Sequence, residues 1–245
     1  MSDGAAPPHA GFDPQMRVDW ITPDVLRPAA PGRLGLTFLP GKRGASYRYP
    51  GHTYRRDTAD DLAAMRGMGV ARLILLVEDR ELEAWGDPAI VELGSRVGVE
   101  VLRHPIADGS PPASVEAMDR ILDEVDAARA TGDVVVACMG GVGRTGTVAA
   151  CALVRAGSSA RQAIKAVRAL RHPTAVETEA QERFVRRYAD LATEARRAVE
   201  AYVDDVREGR FPEEQHTYAI PDEELDAFES WVAAHQEAQA EHEQR

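Results

Sequence analysis

Short apolar runs alternate with segments of helical periodicity along most of the chain. A near-continuous apolar run such as Ala71–Val77 is typical of a strand covered on both faces. The runs predict strands at Val18–Ile21, Leu34–Leu39, Ala71–Val77, Val99–Arg103 and Val134–Cys138. This alternation predicts an α/β fold in which a mainly parallel sheet is flanked by helices.

Helical periodicity, N-capping residues and terminal glycines locate the helices between these strands. The predicted helices are Ala59–Met68, Ala89–Val97, Ser114–Ala130 with its N-cap, Arg144–Ala156, Ala160–Leu170, Thr178–Ala201 and Asp222–Gln239. Thr58 is predicted to be the N-cap of the first helix. Gly44–Arg56 is interpreted as a loop and His104–Pro112 as a turn.

Composition divides the 245 residues into three parts. Residues 1–16 are rich in glycine, proline and alanine, and we expect them to form a flexible tail. Residues 17–195 carry the predicted α/β domain. Residues 196–245 contain 14 acidic and 5 basic residues, and so most of the net charge of −11. They predict an acidic, partly helical extension with one apolar stripe.

Several classes of protein are excluded by composition and charge. The body is nearly neutral and the extension is acidic, so we expect no nucleic-acid partner. Because no run approaches 18 apolar residues, we expect no membrane span. The N-terminus lacks a basic segment followed by an apolar one, and the 2 cysteines fit a reducing compartment. We therefore expect a cytoplasmic protein.

The most informative segment is Val134–Val148, with the sequence VVVACMGGVGRTGTV. It predicts a buried strand, a glycine-rich turn and a helix, so that loop N–H groups and a helix N-terminus form an anion site. A dinucleotide site would use Gly141–Gly146, but it needs an acidic residue about 20 positions further on, where this chain is basic and helical. A nucleotide hydrolase would use Gly140–Thr145, but that segment lacks the required lysine.

A third interpretation accounts for every residue of the segment, as C-x5-R-T-G starting at Cys138. The thiolate of Cys138 is favoured at the mouth of an anion site, where it can act as a nucleophile toward phosphorus. Arg144 offers a planar fork for two phosphate oxygens. The hydroxyl of Thr145 can donate a hydrogen bond to the sulfur and assist its departure. The backbone expected to bind phosphate is that of Met139, Gly140, Gly141, Val142, Gly143 and Arg144.

This arrangement resembles the cysteine-dependent protein tyrosine phosphatases. The segments VDWITP and GRLGLTFLPGKR, and HPIADGSPP upstream of the loop, are similar to the dual-specificity group and its kinase-associated phosphatase subfamily. The resemblance covers about Val18–Leu191. It implies a three-layer phosphatase fold with a central sheet of four to five strands, a phosphocysteine intermediate, no metal and no cofactor.

The resemblance also implies a general acid and reveals one departure from the family. The acid is an aspartate roughly 30 residues before the cysteine, and Asp108 fills that place. It would protonate the leaving oxygen and then take a proton from water. The histidine that the family has before the cysteine is Ala137 here. Because that histidine helps to hold the loop, we expect an active but slower phosphatase.

The function implied is hydrolysis of phosphate monoesters: phosphotyrosine, and phosphoserine or phosphothreonine of proteins. The expected partner is a phosphorylated protein or a small phosphate ester. Two alternatives stay open. One is a catalytically weak phosphate-binding pseudophosphatase or adaptor, since Ala137 replaces histidine. The other is a phosphatase for a non-protein phosphate ester, disfavoured because Met139–Gly143 contains no lysine to contact further phosphates.

The second cysteine and two groups of basic residues are interpreted as structural and not catalytic. Cys151 is predicted to pack in the core. A solvated helix face is predicted from Arg161, Lys165, Arg168 and Arg171. A solvated loop, with contact to a phosphorylated substrate as the alternative, is predicted from Tyr47, Arg48, Tyr49, Tyr54, Arg55 and Arg56.

Three further observations concern one glutamine, one short segment and metal ligands. Gln181 matches a position that the resembled family fills with glutamine. Ala201–Tyr218 briefly resembles the end of ketopantoate hydroxymethyltransferases. No ligand spacing of histidine, cysteine or carboxylate residues indicates a metal site.

Overall fold

The structure, a computed structural model, describes residues 16–46, 51–213, 216 and 221–243. The strands in these residues are β1 (Asp19–Ile21), β2 (Leu34–Phe38), β3 (Arg43–Ala45), β4 (Thr53–Arg55), β5 (Val70–Leu75), β6 (Glu100–Arg103) and β7 (Asp133–Cys138). The helices are α1 (Thr58–Gly67), α2 (Asp79–Trp85), α3 (Ile90–Val97), α4 (Val115–Arg129), α5 (Gly143–Arg155), α6 (Ala160–Leu170), α7 (Glu179–Arg207) and α8 (Asp222–Glu243). Contacts divide the chain into two compact units after Thr193.

The first unit is built on a five-stranded sheet with the order β1-β2-β7-β5-β6. All neighbouring strands are parallel except the edge strand β1, which pairs antiparallel with β2. The α/β architecture and the mainly parallel sheet predicted from the sequence are therefore confirmed. The separate hairpin of β3 and β4 follows β2.

The central strand β7 shows why its sequence is apolar without interruption. Its side chains alternate between the two faces of the sheet. Val136 and Cys138 belong to the core under α4 to α7. Val135 and Ala137 belong to the core under α1 to α3. Because both faces are covered by helices, β7 lies in the middle of three layers.

Two local predictions near the first helix need correction. Asp57, not Thr58, caps α1: its carboxylate accepts a hydrogen bond from the Asp60 N–H at 3.0 Å. Aspartate is as good an N-cap as threonine, so the sequence alone does not decide which of the two neighbouring residues precedes the helix. The Gly44–Arg56 segment is not wholly a loop, because it contains β4 and most of β3.

Some features fall outside the predictions or outside the described residues. The short helix α2 was not predicted, and its seven residues are too few for a clear helical period. The predicted N-terminal tail lies outside the described residues apart from Met16, which is buried in the core. Residues 47–50 of the Tyr/Arg-rich segment also lie outside them.

The second unit begins at Glu194 and contains the end of α7 and all of α8. Both helices extend beyond the ends predicted for them, so the expected helical extension is present. Leu225, Phe228 and Trp231, which form the predicted apolar stripe, are exposed on α8, whereas such a stripe ordinarily packs against a core. Among the described residues, no helix combines the length and apolar character needed to cross a bilayer.

Candidate active site

Cys138 is the last residue of the central strand, and it is buried with 3% of its surface exposed. The carboxyl ends of parallel strands meet at one edge of a sheet, where α/β proteins bind their ligands. The glycine-rich loop, residues 139–142, starts at this edge and leads into α5. The fold therefore presents Cys138 and the N-terminus of α5 to the same space.

The glycine-rich loop is shaped by Gly141, which has a φ of 66°. A Cβ atom at this position would lie 2.2 Å from the carbonyl oxygen of Thr37. The carbonyls of Gly140 and Gly141 accept hydrogen bonds from the Arg171 guanidinium at 3.4 and 2.8 Å. Among the described residues, the backbone N–H groups of Gly140 to Val142 find no backbone acceptor. With its carbonyls held by Arg171, the loop offers these N–H groups to an anion.

The side chain of Arg144 is only 1% exposed, and four partners set its orientation, one of them the Leu76 carbonyl, 3.5 Å from Nη1. Glu81 accepts from both terminal nitrogens, each at 2.7 Å. The carbonyl of Ile106 accepts from Nη1 at 2.8 Å. Asp108 places Oδ1 2.9 Å from Nη2. The buried Nε has no partner among the described residues, so one donor of the guanidinium remains available.

Charge holds Arg144 and Glu81 in their ionised forms. Burial lowers the pKa of Arg144, but the hydrogen bond to Glu81 and the negative charge of Cys138 raise it above its ordinary value. Burial raises the pKa of Glu81, but hydrogen bonds from Arg144 and the Glu78 N–H lower it below its ordinary value. The pair is therefore charged at neutral pH and keeps the guanidinium in place.

Asp108 lies on a turn that α7 holds in position. The side chain of Asp108 is 77% exposed, and Gly109 follows it with a φ of 72°. Thr178 donates its hydroxyl to the Gly109 carbonyl at 2.8 Å. Gln181, which is fully buried, donates to the Ser110 carbonyl at 3.2 Å. Gln181 thus supports the turn that carries Asp108.

Thr145 follows Arg144 in the first turn of α5. Its hydroxyl oxygen is buried and has no hydrogen-bond partner in the part of the chain that the structure describes. This hydroxyl is therefore available as a hydrogen-bond donor. Cys151, by contrast, is fully buried among core residues, and desolvation raises the pKa of its thiol well above the ordinary value. The core role predicted for Cys151 is confirmed.

Two residues of this constellation were missed from the sequence. Glu81 contacts Arg144 across 63 positions of the chain, which no local pattern reveals. Arg171 was assigned to a solvated helix face, and this is wrong: its side chain is 7% exposed. It lies at the C-cap of α6, just beyond the periodic part of the helix. Arg161 and Lys165, earlier in the helix, are exposed as predicted.

The residues that the structure describes contain no group of three or more histidine, cysteine or acidic side chains placed to hold a metal ion. The site brings together a thiol, a buried guanidinium, a hydroxyl, a carboxyl group and a loop of N–H donors. These groups together can bind a tetrahedral anion and deliver a nucleophile and a proton to it.

One similarity concerns an enzyme with different chemistry. The chain is 54% identical over 46 residues to 3-methyl-2-oxobutanoate hydroxymethyltransferase of Nitratidesulfovibrio vulgaris, which is 19% of this chain and 15% of that enzyme. This is the enzyme, under its other name ketopantoate hydroxymethyltransferase, that Ala201–Tyr218 resembles. Since the match is a small part of that enzyme, it does not transfer its activity.

Other similarities extend over more than half of the chain. Human cyclin-dependent kinase inhibitor 3 is 29% identical over 162 residues, which cover 64% of this chain and 72% of the human protein. A kinase-associated phosphatase, crystallised with serine in place of its catalytic-site cysteine, superposes with a TM-score of 0.65 at 24% identity. The superposition covers 74% of this chain and 98% of that one.

The active form of Tk-PTP is 30% identical, with a TM-score of 0.52 over 67% of this chain and 99% of that one. A model of the DSP-PTPase phosphatase domain of Swiss Army Knife proteins matches residues 52–185. That match spans more than half of the chain and contains the whole of the C-x5-R segment. The chain therefore belongs to this family of dual-specificity-type phosphatase domains.

Proposed function

We propose that this protein hydrolyses phosphate monoesters, namely phosphotyrosine and phosphoserine or phosphothreonine of proteins, through a phosphocysteine intermediate. The observation that carries the proposal is the state of Arg144. Its buried Nε lacks a partner among the described residues, and its Nη2 contacts Asp108 at 2.9 Å. A phosphoryl group bound by this guanidinium would lie within reach of Asp108 and beside Cys138.

In the first step, Sγ of Cys138 attacks phosphorus and the bond from phosphorus to the ester oxygen breaks. Asp108 gives its proton to the leaving oxygen, which contributes about 10²- to 10⁴-fold in such reactions. Arg144 and the N–H groups of the glycine-rich loop stabilise the charge on the other three oxygens. The alcohol or phenol leaves, and phosphocysteine remains.

In the second step, a water molecule gives a proton to the Asp108 carboxylate and its oxygen attacks phosphorus. The bond from phosphorus to sulfur breaks, and inorganic phosphate and the Cys138 thiolate are released. Thr145, whose hydroxyl is unpaired among the described residues, donates a hydrogen bond to the departing sulfur. No metal takes part in either step.

One observation favours a second candidate, a phosphate-binding adaptor with little turnover. Ala137 is fully buried and belongs to the core opposite Cys138. It supplies no hydrogen bond to the loop, where the family has a histidine. Arg171 holds the same loop in this chain through the carbonyls of Gly140 and Gly141, so that an ordered loop does not require the histidine.

The test is hydrolysis of p-nitrophenyl phosphate by the wild type and Cys138→Ser, both with EDTA present. We expect EDTA-resistant turnover that is lost in the serine variant. Cys151→Ser is the matched control, because it changes the other cysteine, and it should keep the activity. If the wild type is no faster than Cys138→Ser but binds vanadate, the adaptor replaces the enzyme as the proposed function.

A further inference from the structure

The hairpin of β3 and β4 has no part in the proposed reaction, yet it lies beside the catalytic edge of the sheet. It follows β2, whose last residue, Phe38, is the register partner of Cys138. The ring of Tyr54, in β4, lies 6.0 Å from the ring of Phe38. The hairpin is therefore next to the strand end that carries the nucleophile.

A second contact connects the hairpin to the helix that holds Arg144. A Cβ atom built on Gly44 would lie 2.7 Å from the indole ring of Trp85, so the backbone of β3 packs on this ring. Trp85 is one helical turn beyond Glu81 in α2. Because Glu81 binds Arg144, the hairpin adjoins the active site through both β2 and α2.

Buried charges hold the base of the hairpin in one position. Asp61, which is 4% exposed, accepts hydrogen bonds from Nη2 of Arg56 at 2.6 Å and from the Gly41 N–H at 2.8 Å. The Arg56 N–H donates to the Lys42 carbonyl at 3.1 Å. A surface presented by this hairpin is thus preorganised, which lowers the entropic cost of binding.

The unusual feature of the hairpin is a pair of like charges. Arg43 and Arg55 are direct register partners across β3 and β4, and both are exposed. The side chain of neither arginine makes an ion pair or a hydrogen bond with any residue that the structure describes. Like charges that face each other across two strands destabilise the pair. A bound anion would remove this repulsion.

We propose that Arg43 and Arg55 form a secondary anion site for the substrate, and that the substrate is a phosphorylated peptide segment with acidic side chains beside its phosphorylated residue. The proposal rests on the phosphatase function proposed above. Directly paired residues have Cβ atoms about 4.5–5.5 Å apart. Alternate side chains of an extended peptide lie about 7 Å apart on one face, so two carboxylates can each meet one guanidinium.

Two observations favour a peptide over a small ester with several phosphates. The glycine-rich loop contains no lysine or second arginine before Arg144, so additional phosphates near the reacting one meet no further cation there. The arginine pair lies on a hairpin separate from the glycine-rich loop. It can therefore bind acidic side chains that a peptide substrate carries at some distance from its phosphorylated residue. Guanidinium forks bind carboxylates in two-point contacts.

The experiment compares two phosphotyrosine peptides, one with glutamates flanking the phosphotyrosine and one with glutamines. The proteins are the wild type, Arg43→Gln/Arg55→Gln and the control Arg161→Gln/Lys165→Gln. The control removes the same charge from exposed residues of α6, which lie about 9 and 15 Å along the helix from Arg171. We measure kcat and KM for each peptide, for a soluble phosphoinositide and for p-nitrophenyl phosphate, in low and high salt.

We expect the wild type to prefer the glutamate peptide by a lower KM, and Arg43→Gln/Arg55→Gln to raise that KM about 3- to 10-fold. Turnover of p-nitrophenyl phosphate should stay unchanged. Equal KM values for the two peptides, the same loss in the control variant, or a preference for a soluble phosphoinositide over the glutamate peptide would each overturn the proposal.

A failure of the phosphatase function would be visible separately. If the wild type does not turn over p-nitrophenyl phosphate, the same peptides, fluorescently labelled, are titrated against Cys138→Ser by anisotropy. Tighter binding of the glutamate peptide, lost on changing Arg43 and Arg55, would retain the secondary anion site without the enzyme. Equal binding of both peptides would reject the site.

Discussion

At the scale of single residues, the guanidinium of Arg144 is the group on which the proposed chemistry depends. Glu81 and the Ile106 carbonyl hold its terminal nitrogens, while the buried Nε lacks a partner among the described residues. A buried polar group without a hydrogen bond destabilises a protein by about 1–3 kcal/mol. Binding of a phosphoryl oxygen would recover this free energy, so the site favours a tetrahedral anion.

The glycines of the loop provide a matched pair of substitutions. Gly141→Ala would put a side chain at a φ of 66° and 2.2 Å from the Thr37 carbonyl oxygen. We expect the loop to shift and the kcat/KM for p-nitrophenyl phosphate to fall about 100-fold. Gly140→Ala is the control, because a Cβ atom there meets no heavy atom within 4 Å. It should keep the thermal midpoint and most of the activity.

Equal activities of the Gly141→Ala and Gly140→Ala variants would contradict this account of the loop. A loss of folding in Gly141→Ala, seen by circular dichroism, would show that the conformation of Gly141 stabilises the whole domain and not the loop alone.

At the scale of elements, the end of α6 connects the loop to the edge of the sheet. Arg171, at the C-cap of α6, donates to the carbonyls of Gly140 and Gly141. Its Nη1 lies 2.7 Å from Oδ2 of Asp19 in the edge strand β1. The three elements α6, β1 and the glycine-rich loop therefore share one nearly buried cation, and Arg171 acts as a positioning residue.

This arrangement predicts the effect of Arg171→Gln. Without the guanidinium, the carbonyls of Gly140 and Gly141 can turn inward and repel the phosphoryl group. We expect kcat to fall about tenfold or more, with weaker inhibition by vanadate. Arg168→Gln is the control in the same helix, since Arg168 binds the Ala175 carbonyl and Glu182 instead.

The thermal midpoint separates positioning from general destabilisation. If both variants lose the same stability but only Arg171→Gln loses kcat and vanadate affinity, Arg171 positions the loop. Parallel losses of activity in the two variants would reject that role.

At the scale of the whole molecule, the site and its supports lie in the first compact unit. In the part of the chain that the structure describes, the partners given above for Arg144 and Asp108 precede Thr193, and the family match ends at residue 185. The second unit carries most of the negative charge. We propose that residues 17–195 form a phosphatase domain and that 196–245 are a separate extension.

A chain that ends after residue 195 tests this division. Because the described residues that hold Cys138, Arg144 and Asp108 precede this cut, we expect its kcat/KM for p-nitrophenyl phosphate to stay within about twofold of the full chain. A larger change with unchanged circular dichroism of the domain, in either direction, would mean that the extension acts on the active site.

Residues that are close together in the chain could be assigned their place from the sequence. Cys138, Arg144 and Thr145 lie within one strand–loop–helix unit, so their spacing already places them around one anion site. The apolar runs likewise predicted the five strands of the sheet, since strands covered on both faces need nearly unbroken apolar sequence. Asp108 required the resemblance to a family, because an aspartate before a glycine is ordinary turn chemistry.

The residues that hold this site in place could be identified only from the tertiary structure. The partners Glu81, Arg171 and Asp19 are distant in sequence from the groups they bind, and nothing in their local pattern distinguishes them from surface residues. Gln181 was singled out only by the resemblance to a family, and its contact with the Ser110 carbonyl was not predicted. The same holds for Arg43 and Arg55, which face each other only because a hairpin pairs them. Local chemistry thus follows from spacing along the chain, whereas burial and long-range pairing follow from how the layers pack.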